Sequence, residues 1–302
     1  MRAFYSDHFV LPLPEGHRFP MAKYSGLRAR IIQERIIDPA DLHEAPAASW
    51  QELRLVHSAE YVDAVATGTV SPDIQRRIGF PWSPGMVERS RRSVGATIAA
   101  ARAAIADGVS ANLAGGTHHA FVDRGEGYCV FNDVAVAARV LQRDRLASRI
   151  AIVDLDVHQG NGTAAIFHGD SGVFTFSMHG EKNFPFKKEN SDLDVALPDG
   201  TGNEGYLAAL GEHLPGVLNT HRPDFVFYLA GADPYEGDRL GRLKLTIDGL
   251  RQRDLMVFEA CRQAGLPIAV TMSGGYATDV DAIVAIHANT IRLASARCSI
   301  GV

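Results

Sequence analysis

Cysteine is scarce in this sequence, and long apolar runs are missing. Only three cysteines occur among 302 residues, an odd number without paired short spacings, which argues against a disulfide framework or a cysteine zinc knuckle. No stretch approaches the roughly 20 apolar residues of a membrane span. The first ten residues carry Asp7 and His8 where a signal peptide needs an apolar core. These features predict a cytoplasmic protein without a membrane segment.

A strong excess of charge of either sign is also missing. The net charge is -5, from 30 basic and 35 acidic residues that are interspersed. Without a basic stripe, direct nucleic acid binding is not expected, and we expect small or peptide-like partners. No low-complexity linker divides the chain, so we predict one domain over residues 1–302, with the oligomeric state left open.

Short apolar runs alternate with helical patterns over most of the chain. The predicted strands lie within residues 111–120, 149–158, 172–180, 224–233 and 267–277. The predicted helices lie within residues 86–108, 133–146, 203–221 and 246–265. Strands that are apolar on both faces and alternate with helices indicate an α/β fold, with a parallel sheet covered by helices.

Three local predictions accompany this pattern. Asp133 and Asn203 are predicted helix N-caps. Residues 181–202 form the longest irregular segment and are predicted to be a loop at the rim of the site. The arginine cluster of residues 89–92 is predicted to form a solvated helix face.

Candidate metal ligands follow two of the predicted strands. Asp156 and His158 are two residues apart, so they point to the same side of an extended backbone. Asp233 ends another strand and is the natural third ligand, because ligands bind at the carboxyl ends of parallel strands. An isolated Asp-x-His is more often a capped turn, so the hypothesis depends on Asp233. Two carboxylates and one imidazole leave a position open on a divalent ion, as in catalytic sites.

Proton-transfer candidates follow the same strand ends. "GGTHHA" places His118 and His119 behind two glycines, where one imidazole can act as a base and the other can protonate a leaving group. Asp154 can orient the first histidine and Asn161 can hold the second. Tyr276, after "SGG", offers a hydroxyl for an oxyanion. Paired histidines also occur as ordinary surface polarity, and a tyrosine after a strand is common, so each of these signals is weak when taken alone.

Five segments occur together in a characteristic order: "GGTHHA", "GEGYCVFND", "VDLDVHQGNG", "GADPYEGDRLG" and "SGGYA". With them the chain resembles, from about Tyr5 to Ala294, the zinc-dependent histone deacetylase family, which includes bacterial acetylpolyamine amidohydrolases and acetoin-utilisation proteins. "EGDRLGRLKLT", "RDLMVF" and "SGGY" look most like the class IV members. The resemblance implies the arginase/deacetylase fold, a single-domain, mainly parallel sheet of about eight strands flanked by helices.

The resemblance also implies a role for each matching position. Asp156, His158 and Asp233 would be zinc ligands, and His118 and His119 the proton-transfer pair, with Asp154 and Asn161 behind them. Tyr276 would be the oxyanion donor. The walls of an acyl-lysine channel would include three residues: Gly127, Tyr128 and Phe184. A structural potassium ion would be held by Ser177 and Met178 with backbone groups of Asp154, Asp156 and His158.

The expected activity is hydrolysis of the amide of an acylated lysine side chain in a peptide or protein. One alternative is an amidohydrolase for acetylpolyamines or other small acyl-amines, and another is an inactive acyl-lysine binder. A two-metal ureohydrolase is disfavoured because Gly160 stands where an aspartate would be needed, and a Cys129 nucleophile is disfavoured because free cysteines are most often buried. The sequence leaves acyl chain length, physiological substrate and the choice among zinc, iron and cobalt open.

Overall fold

Strands and helices alternate along the chain. The computed structural model describes residues 1–298, and the last four residues of the predicted domain lie outside them. The strands are β1 (Ala3–Tyr5), β2 (Leu42–Glu44), β3 (Val109–Asn112), β4 (Ile150–Asp154), β5 (Val173–Gly180), β6 (Leu193–Leu197), β7 (Phe225–Leu229) and β8 (Ile268–Thr271). The α-helices are α1 (Ala22–Gln33), α2 (Trp50–Leu53), α3 (Ala59–Thr67), α4 (Pro72–Ile78), α5 (Pro84–Asp107), α6 (Asp133–Arg143), α7 (Asn161–Phe167), α8 (Asn203–His221), α9 (Ile247–Gln263) and α10 (Val280–Cys298).

The eight strands form one sheet in the order β2-β1-β3-β8-β7-β4-β5-β6. Each strand runs parallel to its neighbours. The prediction of a mainly parallel sheet of about eight strands flanked by helices is therefore confirmed. Within residues 1–298, every helix is too short or too polar to span a bilayer.

The central strands are apolar on both faces because the sheet has a core on each side. In β4, Ala151 and Val153 pack into a core with residues of α8, α9 and α10. Ile150 and Ile152 face the opposite side and pack with residues of α5 and α6. A strand between two cores reads as a continuous apolar run, which is the pattern seen in the sequence.

The order of the strands determines where the site forms. The four strands that precede the candidate residues, β3, β8, β7 and β4, are adjacent in the sheet. Because these strands are parallel, their carboxyl ends open at one edge, and the loops after them meet there.

The two predicted helix caps are wrong by one residue each. Asn132 caps α6 by accepting from the Ala135 N–H, whereas Asp133 accepts from the backbone N–H groups of Gly116 and Thr117 and so holds the glycine-rich loop after β3. Gly202 precedes α8, and Asn203 bonds Thr246 at the start of α9 instead. Both side chains serve contacts with distant segments, which local sequence does not reveal.

Two other local predictions are corrected. Residues 181–202 are not wholly irregular, because Leu193–Leu197 forms the edge strand β6 beside β5. Arg89 is buried rather than solvated: its guanidinium donates to the Phe9 carbonyl at 3.0 Å and lies over the Tyr24 ring. The N-terminal segment covers this part of α5, a long-range contact that the helical pattern alone cannot predict.

Candidate metal centre and active site

Asp156, His158 and Asp233 meet at the carboxyl edge of the sheet. All three are buried, and their donor atoms lie within 4.8 Å of one another. His158 Nδ1 is 3.0 Å from Asp156 Oδ1 and 3.2 Å from Asp233 Oδ2. The sequence predicts this group as a set of metal ligands, and the fold does bring its members together.

The electrostatics of this group fit a divalent cation. Apart from the 3.2 Å approach of His158 Nδ1, the buried Asp233 Oδ2 has no polar partner among the described residues. Burial and the charge of Asp156 raise the pKa of Asp233 to about 7. Burial also acts to raise the pKa of Asp156, but His118 and His158 outweigh it and hold that pKa well below its usual range. Two buried carboxylates this close repel each other when both are ionised, and a bound cation removes that cost.

Hydrogen bonds fix both carboxylates. Asp156 Oδ2 accepts from Ser273 Oγ at 2.7 Å and from the Gly274 N–H at 2.8 Å. Asp233 Oδ1 accepts from the Val157 N–H at 2.9 Å. A Cβ atom on Gly274 would lie 1.8 Å from Asp233 Oδ2, so only glycine lets the loop after β8 close over the carboxylates. These contacts preorganise the donor oxygens.

The two adjacent histidines have different partners. His118 Nδ1 lies 2.6 Å from Asp154 Oδ2, and His119 Nδ1 lies 2.7 Å from Asn161 Oδ1. Carboxylate and amide oxygens only accept, so each Nδ1 carries a proton and donates. In neutral His119, Nε2 therefore has a free lone pair. Asp154 and Asn161 occupy the places that the sequence predicts for them.

The charges around the two imidazoles also differ. Burial disfavours the charged form of His118, but Asp154 and Asp156 outweigh it and raise its pKa to about 9. Burial, together with His118 and His158, pushes the pKa of His119 well below its usual value. The surroundings of His118 thus favour the charged imidazole and those of His119 the neutral one, an arrangement typical of acid and base partners.

Tyr276 lies on the loop after β8 and lines the same cavity as His119. Its ring centroid is 6.3 Å from that of His158 and 5.9 Å from that of Tyr128. Its backbone N–H donates to Asp238 Oδ2 at 2.6 Å, and its carbonyl accepts from Arg239 Nε at 2.7 Å. Both backbone polar groups of Tyr276 are therefore held by hydrogen bonds.

A cavity of about 720 Å³ connects this group to the surface. Its walls include the following residues: His119, Gly127, Tyr128, His158, Phe184, Arg239 and Tyr276. All three predicted channel residues therefore line the cavity. Phe184 packs edge-on against His119, with ring centroids 4.9 Å apart.

Ser177 and Met178 lie away from the cavity, on β5. Ser177 is in register with Asp154 on the neighbouring strand, and its hydroxyl contacts His179 Nδ1 at 3.0 Å. The Met178 side chain is buried in the apolar core. Of these two side chains, only that of Ser177 can face a polar site, so Met178 could contribute to the predicted potassium site only through its backbone oxygen.

Sequence reasoning missed several residues that support the loop after β8. Lys23, which is buried in α1, donates to the carbonyls of Ser273 and Gly275. The local sequence of an amphipathic helix does not show that one of its lysines is buried against a distant loop. Asp238 and Arg239, which hold Tyr276, lie within the segment "GADPYEGDRLG", so their position in that motif was the available signal.

Cys129 follows Tyr128 in sequence but does not itself line the cavity. Its thiol is buried and donates to the Gly127 carbonyl at 3.4 Å. Burial raises its pKa well above the usual value, which disfavours the reactive thiolate. The expectation that Cys129 is not catalytic agrees with this environment.

Comparisons with known proteins agree with the geometry. A model of the histone deacetylase domain matches residues 17–291. An uncharacterized protein of Picosynechococcus sp. is 48% identical over 285 residues, which are 94% of each chain. A histone deacetylase-like amidohydrolase of Pseudomonas aeruginosa is 31% identical over 83% of this chain and 68% of its own. The crystal structure of an HDAC homolog complexed with SAHA superposes with a TM-score of 0.85 at 25% identity, covering 98% of this chain and 84% of that one.

Proposed function

Because this chain belongs to the histone deacetylase domain family, we propose that it is a zinc-dependent deacylase that removes acyl groups from lysine side chains. The observation that carries the proposal is the convergence of Asp156, His158 and Asp233, because His158 lines the same cavity as His119 and Tyr276. We propose that residues 1–302 form one such domain, and "EGDRLGRLKLT" supports its assignment to class IV.

In this proposal Asp156, His158 and Asp233 hold the zinc ion. When bound, zinc would supply Lewis-acid polarisation of the acyl carbonyl and would lower the pKa of water. The unsatisfied Asp233 oxygen and the mutual repulsion of the two carboxylates support a cation at this place. A potassium ion near Ser177 remains a separate proposal.

His119 is the proposed general base. Its Nε2 lone pair is available because Nδ1 donates to Asn161, and its ring lines the cavity. It accepts the proton of the attacking water as the carbon–oxygen bond forms. The ring centroid of His118 is 4.1 Å from that of His119, and Asp154 stabilises the charged form of His118. His118 is the proposed source of the proton that the amine nitrogen gains as the carbon–nitrogen bond breaks.

Tyr276 is the proposed oxyanion donor. Asp238 and Arg239 fix its backbone, so the ring stays beside His158 and the hydroxyl can donate to the carbonyl oxygen as negative charge develops there. Gly127, Tyr128 and Phe184 would surround the lysine methylenes, which suit apolar and aromatic walls.

The test measures turnover of an acetyl-lysine peptide by the purified protein. We expect activity to be lost on chelation and restored by zinc, and Tyr276→Phe to lower kcat by about 100-fold with little change in KM, because the hydroxyl acts in the transition state. Full activity of Tyr276→Phe, or of protein from which all transition metal has been removed, would contradict the proposal.

A further inference from the structure

The mouth of the cavity is strongly basic, although the chain as a whole is acidic. Six cationic side chains line it, against one carboxylate, Glu126. The six are Arg18, Arg76, Arg77, Lys182, Arg239 and Arg242. In a chain of net charge -5, this concentration of positive charge at one concave site differs from the surface average.

Half of these cations lack an acidic partner. Within the described part of the chain, no carboxylate forms an ion pair with Arg18, Lys182 or Arg239. The others are paired: Arg76 and Arg77 share Asp73, Arg77 also lies 3.8 Å from Glu126, and Arg242 pairs with Asp199 at 3.1 Å. The mouth therefore keeps a net positive potential that a ligand can use.

The cations come from separate segments and converge on the cavity, unlike a solvated charge run along one helix. The segments are the N-terminal stretch before α1, helix α4, the loop after β5 and the loop after β7. Arg239 is held in place, since Nη2 donates to the Arg18 carbonyl at 2.9 Å and Nε donates to the Tyr276 carbonyl. The basic mouth is thus tied to the residue that faces the reacting carbonyl.

An exposed aromatic side chain lies at the same mouth. Phe186 is 89% exposed, lines the cavity and lies 6.3 Å from Phe184, measured between ring centroids. A large apolar side chain this exposed is available for contact with a bound chain. A small amine bound inside the channel would not need an exposed aromatic side chain at the mouth.

We propose that the basic mouth selects acyl-lysines that lie in acidic polypeptide segments, with aspartate or glutamate within a few residues of the lysine. This inference rests on the proposed deacylase function. Guanidinium groups bind carboxylates through paired, charge-assisted hydrogen bonds, and like charges at the mouth repel basic sequences. The same field disfavours a polycationic acetylpolyamine.

Three peptides test the preference. They carry the same central acetyl-lysine and differ only in flanks of Asp/Glu, Ser/Gly or Lys/Arg. We expect kcat/KM to be at least about 10-fold higher for the acidic than for the basic peptide at low salt, and the ratio to shrink as the ionic strength rises. Equal kcat/KM for all three peptides would overturn the inference while leaving the deacylase function intact.

Charge-removing variants locate the effect. The double substitution Arg18→Gln with Lys182→Gln should lower the acidic-to-basic ratio several-fold, because both cations are exposed and unpaired. The matched control is Lys187→Gln, an exposed lysine on the same loop as Lys182 that does not line the cavity. It should keep the wild-type ratio, and an equal fall in the control would show that the preference does not arise at the mouth.

Binding separates failure of the inference from failure of the proposed function. Fluorescence anisotropy with labelled peptides and Tyr276→Phe measures affinity without turnover. Tighter binding of the acidic peptide supports the basic mouth even if wild-type protein hydrolyses no peptide, a result that would defeat only the deacylase proposal. Binding that ignores the flanks, or no binding of any peptide, overturns the inference.

Discussion

At Gly127 the backbone comes so close to the proposed base that no side chain fits. Its φ is +56°, and a Cβ atom would lie 2.6 Å from His119 Cδ2 and 3.3 Å from Phe184 Cε1. Both neighbours line the cavity, and His119 is fixed by Asn161, so it cannot easily move aside. The glycine therefore sets the width of the channel as well as the shape of the turn.

We expect Gly127→Ala to lower kcat/KM for an acetyl-lysine peptide by at least about 10-fold, because it displaces the imidazole and narrows the channel. Gly265→Ala is the matched control. Gly265 has a similar φ of +65°, but an added Cβ meets nothing within 4 Å. Both variants carry backbone strain of about 1 kcal/mol, so a much larger loss of activity in Gly127→Ala than in Gly265→Ala reflects the contact with His119. Equal losses of activity would contradict it.

His57 is a buried histidine outside the cavity whose hydrogen bonds require the neutral ring. Nδ1 donates to the Phe121 carbonyl at 2.8 Å, and Nε2 accepts from the Asn132 N–H at 3.0 Å. Protonation of Nε2 would break the second bond, and Asn132 caps α6. Burial lowers the pKa of His57 from 6.5 to about 4.

This shift predicts a pH dependence of stability. Because the pKa is lower in the folded protein, the unfolded chain binds a proton more readily. The contribution of His57 to the free energy of unfolding is therefore complete above pH 6.5 and declines as the pH falls toward about 4. The contribution of His57 is at most about 3 kcal/mol. Chemical denaturation at pH 7 and pH 5 should show a smaller loss for His57→Asn than for wild type. An identical loss in both proteins would reject this role.

Among the elements, α9 supports the two loops that carry the candidate metal ligands through one buried arginine. Arg253 Nη1 donates to the carbonyls of Gly231 at 2.6 Å and Leu155 at 3.3 Å, which lie in the loops just after β7 and β4. Its Nε donates to Asp254 at 2.9 Å. The guanidinium thus joins the ends of two neighbouring strands from beneath the site.

Arg253→Leu should lower the free energy of unfolding by about 3–5 kcal/mol, because it leaves the Asp254 carboxylate buried without its cation. Zinc affinity should fall as well, since both loops lose an anchor. Arg251→Leu, two residues earlier on α9, removes an exposed pair with Asp248 and should cost less than about 1 kcal/mol. Chemical denaturation and metal titration distinguish the variants, and similar costs at both positions would contradict this account.

Periodicity predicts the helices well where one face packs on the sheet. The prediction for residues 203–221 matches α8, and that for 246–265 differs from α9 by one or two residues at each end. Periodicity fails where contacts with distant segments determine burial or strand pairing. Examples are Arg89, which the N-terminal segment covers, and β6, which pairs with β5. For the site, spacing and motif order were sufficient to select Asp156, His158 and Asp233. The contacts of Lys23 and Arg253 appear only when the chain is folded.

For the whole molecule, a metal ion would crosslink loops that lie far apart in the sequence. Asp156 and His158 follow β4, and Asp233 follows β7. A ligand that binds only the folded state stabilises it by about 2.7 kcal/mol at 100 times its Kd. Zinc should therefore raise the Tm by several degrees.

The control for this measurement is Asp233→Asn, which keeps an oxygen for the Val157 N–H but removes the ligand charge. We expect differential scanning fluorimetry to show little or no zinc-dependent shift in this variant. A shift equal to that of wild type would mean that zinc binds elsewhere.

The last strand of the sheet in sequence, β8, occupies a central position between β3 and β7. While the chain is being synthesised on a ribosome, β3 and β7 emerge first and cannot complete their pairing until residues 268–271 follow. Until then, β3 and β7, whose residues are buried in the folded protein, each leave one edge with unpaired backbone N–H and C=O groups that can pair with other chains. We expect newly made polypeptide to depend on molecular chaperones, and fragments truncated before β8 to accumulate as inclusion bodies.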